Sequence, residues 1–265
     1  MDGLHGIGAL GDEITALKLL QGSPHVLTLH DVFQPSVPRT GYVYMVVADL
    51  GGSNLLERIA SRNVYTEKDA RGACRRILEA VQYMHQKSVV HRGLRPENIR
   101  YMDPLDDLSL KISDFTVAKV FTTGKLLTVC GTSEYLAPEV FVRRGYGFEV
   151  DNWSCGVLFY QILAGSLPFR NRDAVMKSDI TDHPPCWTNK VSVEAKQLVR
   201  SLLVVDPKAR VTAGQALQRS WISSQINTTL SQVHLSQTQR RIEEYLVTND
   251  LASVSVLWTI VLSVP

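Results

Sequence analysis

The chain has 265 residues, of which 45% are hydrophobic, and a formal net charge of +2 with a pI near 8.3. This length is enough for one large domain or two lobes that bury a sizeable core. The small net charge gives no reason to expect a nucleic-acid partner or an acidic membrane surface as partner.

The cysteines and the chain ends bear on where the protein resides. The cysteines lie far apart, in neither a zinc-ligand pattern nor a disulfide framework, which favours a reducing, cytoplasmic compartment; they are Cys74, Cys130, Cys155 and Cys186. Met1–His5 lacks the basic start of a signal peptide. Residues 251–265 are mostly apolar but fewer than the roughly 20 needed to span a bilayer. We therefore expect them to pack on the domain or bind a partner, and a membrane anchor is not expected.

The first predicted elements are a helix and a strand. A helix is predicted over residues 12–21, because Asp12 is a favourable N-cap residue and apolar residues recur at helical spacing from Ile14 to Leu20. Tyr42–Val47 is rich in β-branched and aromatic residues, which is typical of a strand.

Helices dominate the rest of the chain. After Gly51 and Gly52 a short helix is predicted around Leu55, Leu56 and Ile59. Thr66 opens a long helix whose apolar stripe, from Ala70 to Met84, has the spacing of a core-facing side.

Three motifs follow in order: Val90–Asn98 with its His91-Arg92-Gly93, then Asp114-Phe115-Thr116, then Ala137-Pro138-Glu139. They resemble the protein-kinase set, in which a loop His-Arg-Asp-Leu-x-x-x-x-Asn precedes Asp-Phe-Gly and Ala-Pro-Glu. The resemblance covers residues 12–222. Residues 128–132 resemble the corresponding segment of the calcium/calmodulin-dependent serine/threonine kinases.

This resemblance implies an α+β bilobal kinase fold, with ATP and Mg²⁺ as cofactors and a protein as substrate or partner. Residues 12–33 resemble the kinase C-helix and the strand after it, so the N-lobe is reduced to one helix and two strands, and the C-lobe is mainly helical. The implied domains are a truncated N-lobe at 1–50, a C-lobe at 51–222 and a tail at 223–265. Gly6–Gly11 spells G-x-G-x-x-G, but the helix follows too soon for a phosphate-covering loop between two strands.

The resemblance places several residues at the nucleotide site. Glu13 aligns with the glutamate that pairs with a strand lysine, but no lysine precedes Lys18, so we expect an ordinary exposed carboxylate. Val47 aligns with the gatekeeper, and Ala48 and Leu50 with the hinge. Arg100 takes the place of the apolar floor under the adenine ring, where a buried charge is costly unless it is paired or swung out.

At the catalytic loop, Gly93 replaces the catalytic aspartate and has no side chain that accepts a proton. The resemblance gives His91 a structural role, lets Arg92 pair with a phosphorylated activation segment, and puts Arg95 in the place of a lysine. Asn98 and Asp114 match the two magnesium ligands. Thr116 replaces a glycine, and its β-branch resists backbone angles that glycine adopts, which bears on how the aspartate is aimed.

Further matches lie in the activation segment and the C-lobe core. Thr128 aligns with an activating phosphothreonine, and Thr132 with the threonine that contacts the catalytic aspartate. The others are structural: Phe115, Asp151, which braces the catalytic loop, and Arg210, which forms a salt bridge with Glu139.

Three hypotheses follow. The first is a catalytically inactive or severely impaired kinase-like domain that serves as a scaffold or regulatory binding module. The second is a serine/threonine kinase with residual phosphotransfer, and the third is a fragment of an active kinase. An amphipathic helix is predicted around Arg240–Leu246, but with two arginines beside Glu243 and Glu244 it supports calmodulin only weakly as a partner.

Overall fold

The computed structural model describes residues 9–33, 44–49, 51–103, 105–180, 184–223 and 233–249. The helices in these ranges are α1 Ala9–Leu19, α2 Leu55–Ala60, α3 Glu67–Gln86, α4 Pro138–Phe141, α5 Glu149–Ala164, α6 Arg172–Lys177, α7 Pro185–Asn189, α8 Val193–Leu202, α9 Ala213–Leu217, α10 Ser220–Ser223 and α11 Ser236–Thr248. The strands are β1 Leu29–Phe33, β2 Tyr44–Val47, β3 Val89–Val90, β4 Ile99–Tyr101, β5 Leu110–Ile112 and β6 Lys119–Val120. This mixture confirms the predicted α+β fold.

The small lobe contains α1 and the antiparallel pair β1–β2, in which Phe33 lies opposite Tyr44. Helix α1 begins at Ala9, so the prediction that Asp12 is its N-cap was wrong: Asp12 lies inside the first turns of the helix. Residues 6–8 of the glycine pattern lie outside the described ranges, and its last residue, Gly11, is part of α1.

The large lobe anchors the small one through backbone pairing. The Ile112 amide donates to the His25 carbonyl at 2.9 Å, and the Leu27 amide donates to the Ile112 carbonyl at 2.8 Å. The Lys111 ammonium donates to the carbonyls of Pro24 and Val26. A two-stranded sheet is marginal alone, so these contacts with β5 hold the strands of the small lobe in place.

The large lobe is built around α5, which is buried from Val150 to Ala164. Helix α3 packs against it with the predicted apolar stripe. Asn54 is the N-cap of α2, and Thr66 is the N-cap of α3. Each N-cap has a reciprocal hydrogen bond with the third helical residue. Two short helices, α9 and α10, follow α8.

Helix α11 confirms the predicted amphipathic helix, and its apolar side is buried in the large lobe. Ile242 is 1% exposed. The Thr238 hydroxyl donates to the Leu163 carbonyl at 2.8 Å, and the Gln239 amide donates to the Ile59 carbonyl at 3.1 Å. These carbonyls belong to the last turns of α5 and α2, which have no partners within their own helices. Helix α11 therefore caps two other helices.

None of the helices in the described ranges has both the length and the apolar composition needed to cross a bilayer.

Gly165 makes this packing possible and gives a testable prediction. Its φ is +73°, and an added Cβ would lie 2.6 Å from the Thr238 carbonyl oxygen. We expect Gly165→Ala to lower the free energy of unfolding by about 2–4 kcal/mol, since it adds a clash to the cost of a left-handed alanine. Urea unfolding measures the loss, and hydrogen exchange in α11 localises it.

Gly22 supplies the matched control, because its φ is +93° but an added Cβ would meet nothing within 4 Å. Gly22→Ala is expected to cost only about 1 kcal/mol. Equal losses for the two variants would contradict the capping role of α11.

Candidate active site

One buried carboxylate organises the loop that begins at His91. Asp151, on α5, is fully buried and accepts hydrogen bonds from the backbone amides of His91 and Arg92, both at 2.9 Å. His85 Nε2, at the end of α3, lies 2.9 Å from the same carboxylate. Burial acts to raise the pKa of Asp151, but the hydrogen bonds from the His85 side chain and the His91 backbone amide hold that pKa below its ordinary value.

The His91 ring is the second fixed part of the loop. Its Nε2 lies 3.0 Å from the Ser113 carbonyl, and the Gly93 amide donates to its Nδ1 at 3.2 Å, so Nε2 carries the proton. The ring packs edge-on against Phe115 at 4.8 Å. Burial lowers the pKa of His91, which keeps the ring neutral. The loop and the Asp114-Phe115 segment are thereby held together.

Gly93 lies at the position predicted for the catalytic base, and its surroundings are closely packed. Asn98 is buried, and its Nδ2 donates to the Gly93 carbonyl at 2.8 Å. An added Cβ at Gly93 would lie 3.0 Å from Val117 Cγ2. The geometry of the loop is thus kept around a residue that has no functional group.

Asp114 has a left-handed backbone, with φ at 58°, while Thr116 does not. The expected strain at Thr116 is therefore found two residues earlier, at an aspartate, which tolerates this region better than most residues. The Thr116 hydroxyl donates to Asp114 Oδ1. One of the two carboxylate oxygens of Asp114 therefore has a partner within its own turn.

Glu13 is buried, so the prediction of an exposed carboxylate was wrong. It is 8% exposed and accepts a hydrogen bond from the Phe115 amide. Burial, and then the neighbouring charge of Asp114, raise its pKa from 4.5 to about 7. Such a rise is the behaviour of a carboxylate in an apolar site beside another negative charge.

A lysine, Lys119, forms an ion pair with α1 at Asp12, the residue before Glu13. Lys119 Nζ, on β6, lies 2.7 Å from Asp12 Oδ2. This ion pair, together with the Phe115 amide on Glu13, attaches α1 to the segment that follows Asp114. No local sequence pattern predicts this ion pair, because its partners are 107 positions apart.

The hinge side of the cleft differs from the predicted nucleotide site. Arg100 on β4 is half-buried, and its guanidinium donates to the Gly52 carbonyl at 2.5 Å. A buried charge at Arg100 was expected to be costly unless it was paired or swung out. In the structure its guanidinium is paired with the Gly52 carbonyl. Val47 and Ala48 are half-buried, and the Ala48 amide donates to the Thr28 carbonyl. Leu50 lies outside the described residues.

The activation segment is anchored through Tyr146. Thr128 is exposed, and its carbonyl accepts from the Tyr146 hydroxyl at 2.5 Å. Arg92 donates to the Val117 carbonyl at 2.6 Å and to the Tyr146 hydroxyl at 3.3 Å. The predicted phosphate-binding arginine and Thr128 therefore meet at one tyrosine, a residue that the sequence analysis missed.

Thr132 contacts Arg95 in this structure. Arg95 donates to the Thr132 hydroxyl at 3.1 Å, so the threonine predicted to face a catalytic aspartate is held by a cation of the same loop. The remaining structural pair is as predicted. Arg210 donates to both carboxylate oxygens of Glu139, at 2.7 and 3.0 Å, and it lies over the Trp153 ring.

His85 is the clearest residue that the sequence reasoning missed. No role was predicted for it at the end of α3, yet it contacts Asp151 and packs against Phe148 at 5.0 Å. The available signal was its place in the last turn of a long helix.

The metal-binding capacity of the site is limited. In the described ranges no three histidine, cysteine or acidic side chains converge on one point. Asp114 and Asn98 supply two oxygens, which fits a Mg²⁺ ion that keeps waters and substrate phosphates as its other ligands. The adenine side fits less well, because Arg100 brings a charge to the expected apolar floor.

Comparison with known proteins agrees with this geometry. The family described as "Protein kinase domain" matches residues 6–222. Calcium/calmodulin-dependent protein kinase type 1 of Macrobrachium nipponense is 37% identical over 238 residues, and type IV of Mus musculus is 36% identical over 230 residues. These alignments cover 88% and 84% of this chain, and 67% and 47% of the two relatives.

The raised pKa of Glu13 gives a testable prediction. Because its folded pKa of about 7 exceeds its ordinary value of 4.5, the folded state binds more protons between these pH values, and stability falls as pH rises through that window. We expect Glu13→Gln to remove this loss, with a gain relative to the wild type of up to about 3 kcal/mol at pH 8 compared with pH 5. Urea unfolding at the two pH values is the measurement, and the exposed Glu194→Gln is the control. Parallel pH dependence in the wild type and Glu13→Gln would refute the prediction.

Proposed function

This chain belongs to the protein kinase family and is similar to the calcium/calmodulin-dependent kinases, and we propose that it works as a binding module whose phosphoryl transfer is lost or severely reduced. The observation that carries this proposal is Gly93. Its loop is fixed by Asp151 and His91, but no side chain stands where the family has its base. The loss of a general base alone typically costs 10²- to 10⁴-fold in rate.

The state of the carboxylates supports the same proposal. A phosphate clamp needs a cation beside Glu13, and a neighbouring cation would lower the pKa of this group. The pKa is instead raised to about 7. The ammonium of Lys119 reaches α1 but pairs with Asp12, the residue before Glu13. Phosphoryl transfer depends on positioning and electrostatics. Among the described residues, no cation forms a salt bridge with Glu13, so the positive charge expected at this point of a phosphate clamp is not supplied there.

A serine/threonine kinase with residual activity is the second candidate. It is favoured by Asp114, held in a special backbone conformation, and by Asn98, which is buried in the same loop. In that case Asp114 and Asn98 hold Mg²⁺, and ATP is the phosphoryl donor. Arg95 then contributes positive charge beside the phosphates.

A truncated kinase is a further form of this candidate. The chain spans 67% and 47% of the two relatives, so a longer protein is compatible with the match. Such a protein supplies a glycine loop and a lysine from outside the present sequence, but it does not replace Gly93.

The partner proposed for this module is another protein, in the cytoplasm. Arg92 and the Thr128 carbonyl both contact the Tyr146 hydroxyl, so a phosphate on Thr128 would lie in the neighbourhood of the Arg92 guanidinium. Calmodulin is the less favoured partner, because α11 buries Ile242 and Leu246 in the large lobe and has to leave this site before its apolar side is accessible.

A thermal-shift titration tests the proposal. We expect ATP with Mg²⁺, at millimolar concentration, to shift the Tm by less than about 1 °C relative to Mg²⁺ alone. A ligand at 100 times its Kd adds about 2.7 kcal/mol, which amounts to several degrees for a chain of this size. A shift of several degrees that Asp114→Asn abolishes would instead establish the residual-kinase alternative.

Restoring the missing carboxylate is a second prediction. Gly93→Asp requires only a small movement of the Val117 side chain, so we expect it to fold. Phosphotransfer to a generic serine peptide should stay within about tenfold of the wild type, because the base alone does not restore the phosphate clamp. Radiolabel transfer is the measurement, with Gly93→Asn as the isosteric control. A gain of 100-fold or more in Gly93→Asp alone would show that nucleotide handling is intact.

A further inference from the structure

Exposed apolar side chains lie in the activation segment and just after it. Leu127, Val129 and Val142 are 67%, 42% and 39% exposed. Single exposed apolar residues are ordinary on a protein surface, but several in one region indicate an interaction site.

The backbone of this region is held from behind. The amide and carbonyl of Leu126 pair with the carbonyl and amide of Tyr146, at 2.9 and 3.0 Å. The Tyr146 hydroxyl then binds the Thr128 carbonyl. Because both neighbours of Leu127 are attached to the same tyrosine, the Leu127 side chain is kept on the solvent side without any ligand.

Three cations lie beside these apolar groups: Lys125, Arg143 and Arg144 are all exposed. The Lys125 side chain covers Gly145, where an added Cβ would lie 2.7 Å from its Cβ, and its ammonium donates to the Arg144 carbonyl at 3.4 Å. Arg143 has a left-handed backbone, with φ at 52°, a conformation that few residues other than glycine adopt. We name this surface the activation face, consisting of Lys125, Leu127, Val129, Val142, Arg143 and Arg144.

The activation face continues towards α6. Arg172 donates to the Phe141 carbonyl at 3.2 Å, and its guanidinium lies 5.1 Å from the centre of the Phe141 ring. Beside it opens a cavity of about 750 Å³, whose lining includes three cations and two carboxylates, namely Arg170, Lys177, Arg241, Asp173 and Asp179.

We propose that the activation face binds an acidic protein segment that also carries apolar side chains. Its carboxylates pair with Lys125, Arg143 and Arg144 in charge-assisted hydrogen bonds, and its apolar side chains cover Leu127, Val129 and Val142. The cavity beside α6 receives the continuation of this segment. This inference rests on the proposed function as a binding module and names the partner that the module takes.

Charge complementarity selects this partner over the alternatives. A basic segment would meet three like charges on the activation face. A nucleic acid has phosphates for the cations, but it leaves the apolar groups uncovered. An acidic segment with interspersed apolar residues satisfies both kinds of group on the face.

Fluorescence anisotropy on the full chain tests the inference. The probe is a labelled peptide of alternating glutamate and leucine, compared with a lysine–leucine peptide and a single-stranded DNA of equal length. We expect the acidic peptide to bind most tightly and to weaken at least fivefold when the salt rises from about 50 to 300 mM, because exposed charge pairs are screened. The measurement needs no nucleotide, so its failure and the failure of the nucleotide prediction are separate results.

Variants assign the binding to the activation face. Arg143→Glu with Arg144→Glu should weaken the acidic peptide at least tenfold, and Leu127→Ser should weaken it severalfold at both salt concentrations, since it removes an apolar contact. The matched control, Arg200→Glu with Lys208→Glu, makes the same charge change at exposed positions outside the face and should stay within about twofold. Absent binding, tighter binding of the basic peptide or the DNA, or an equal loss in the control would overturn the inference.

Discussion

The loop that begins at His91 depends on one buried carboxylate. Asp151 accepts hydrogen bonds from two backbone amides and contacts one imidazole, and these contacts fix the shape of the loop at His91. A buried carboxylate is costly unless its hydrogen bonds are complete. Here the partners are the His85 ring on α3 and the backbone amides of His91 and Arg92. The His91 ring passes this order on to Ser113 and Phe115. The scaffold of the cleft is thus independent of what stands at position 93.

The cleft itself has an imbalance of charge. Burial, and then the neighbouring charge of Asp114, disfavour the ionisation of Glu13. Two cations of this region are bound to other groups, Lys119 to Asp12 and Arg100 to the Gly52 carbonyl. The Lys119–Asp12 ion pair and the Phe115 amide on Glu13 hold α1 against the segment after Asp114. Helix α1 is therefore held in place by contacts that do not include a phosphate-binding cation.

Much of this architecture could be predicted from the sequence. Motifs such as His91-Arg92 and Ala137-Pro138-Glu139 carry the resemblance to protein kinases, and that resemblance implied the fold class and the Arg210–Glu139 pair. The burial of Glu13, the contact of His85 with Asp151 and the bond between Lys119 and Asp12 did not. Each depends on how elements far apart in the chain are packed, and no periodicity or spacing in one segment carries that information. Asp12 illustrates the limit, because it is a good N-cap residue that the structure uses as an ion-pair partner.

The packing of α11 bears on the order in which the chain acquires its structure. Gln239 contacts a carbonyl 180 positions earlier, and Thr238 contacts one 75 positions earlier. Contacts of such long range require the closure of large loops and form late in folding. During synthesis the ends of α2 and α5 are made long before their caps, so the unfinished lobe exposes backbone carbonyls and the apolar groove for Ile242 until the last helix emerges. Over that interval the nascent chain is most susceptible to aggregation and to binding by chaperones.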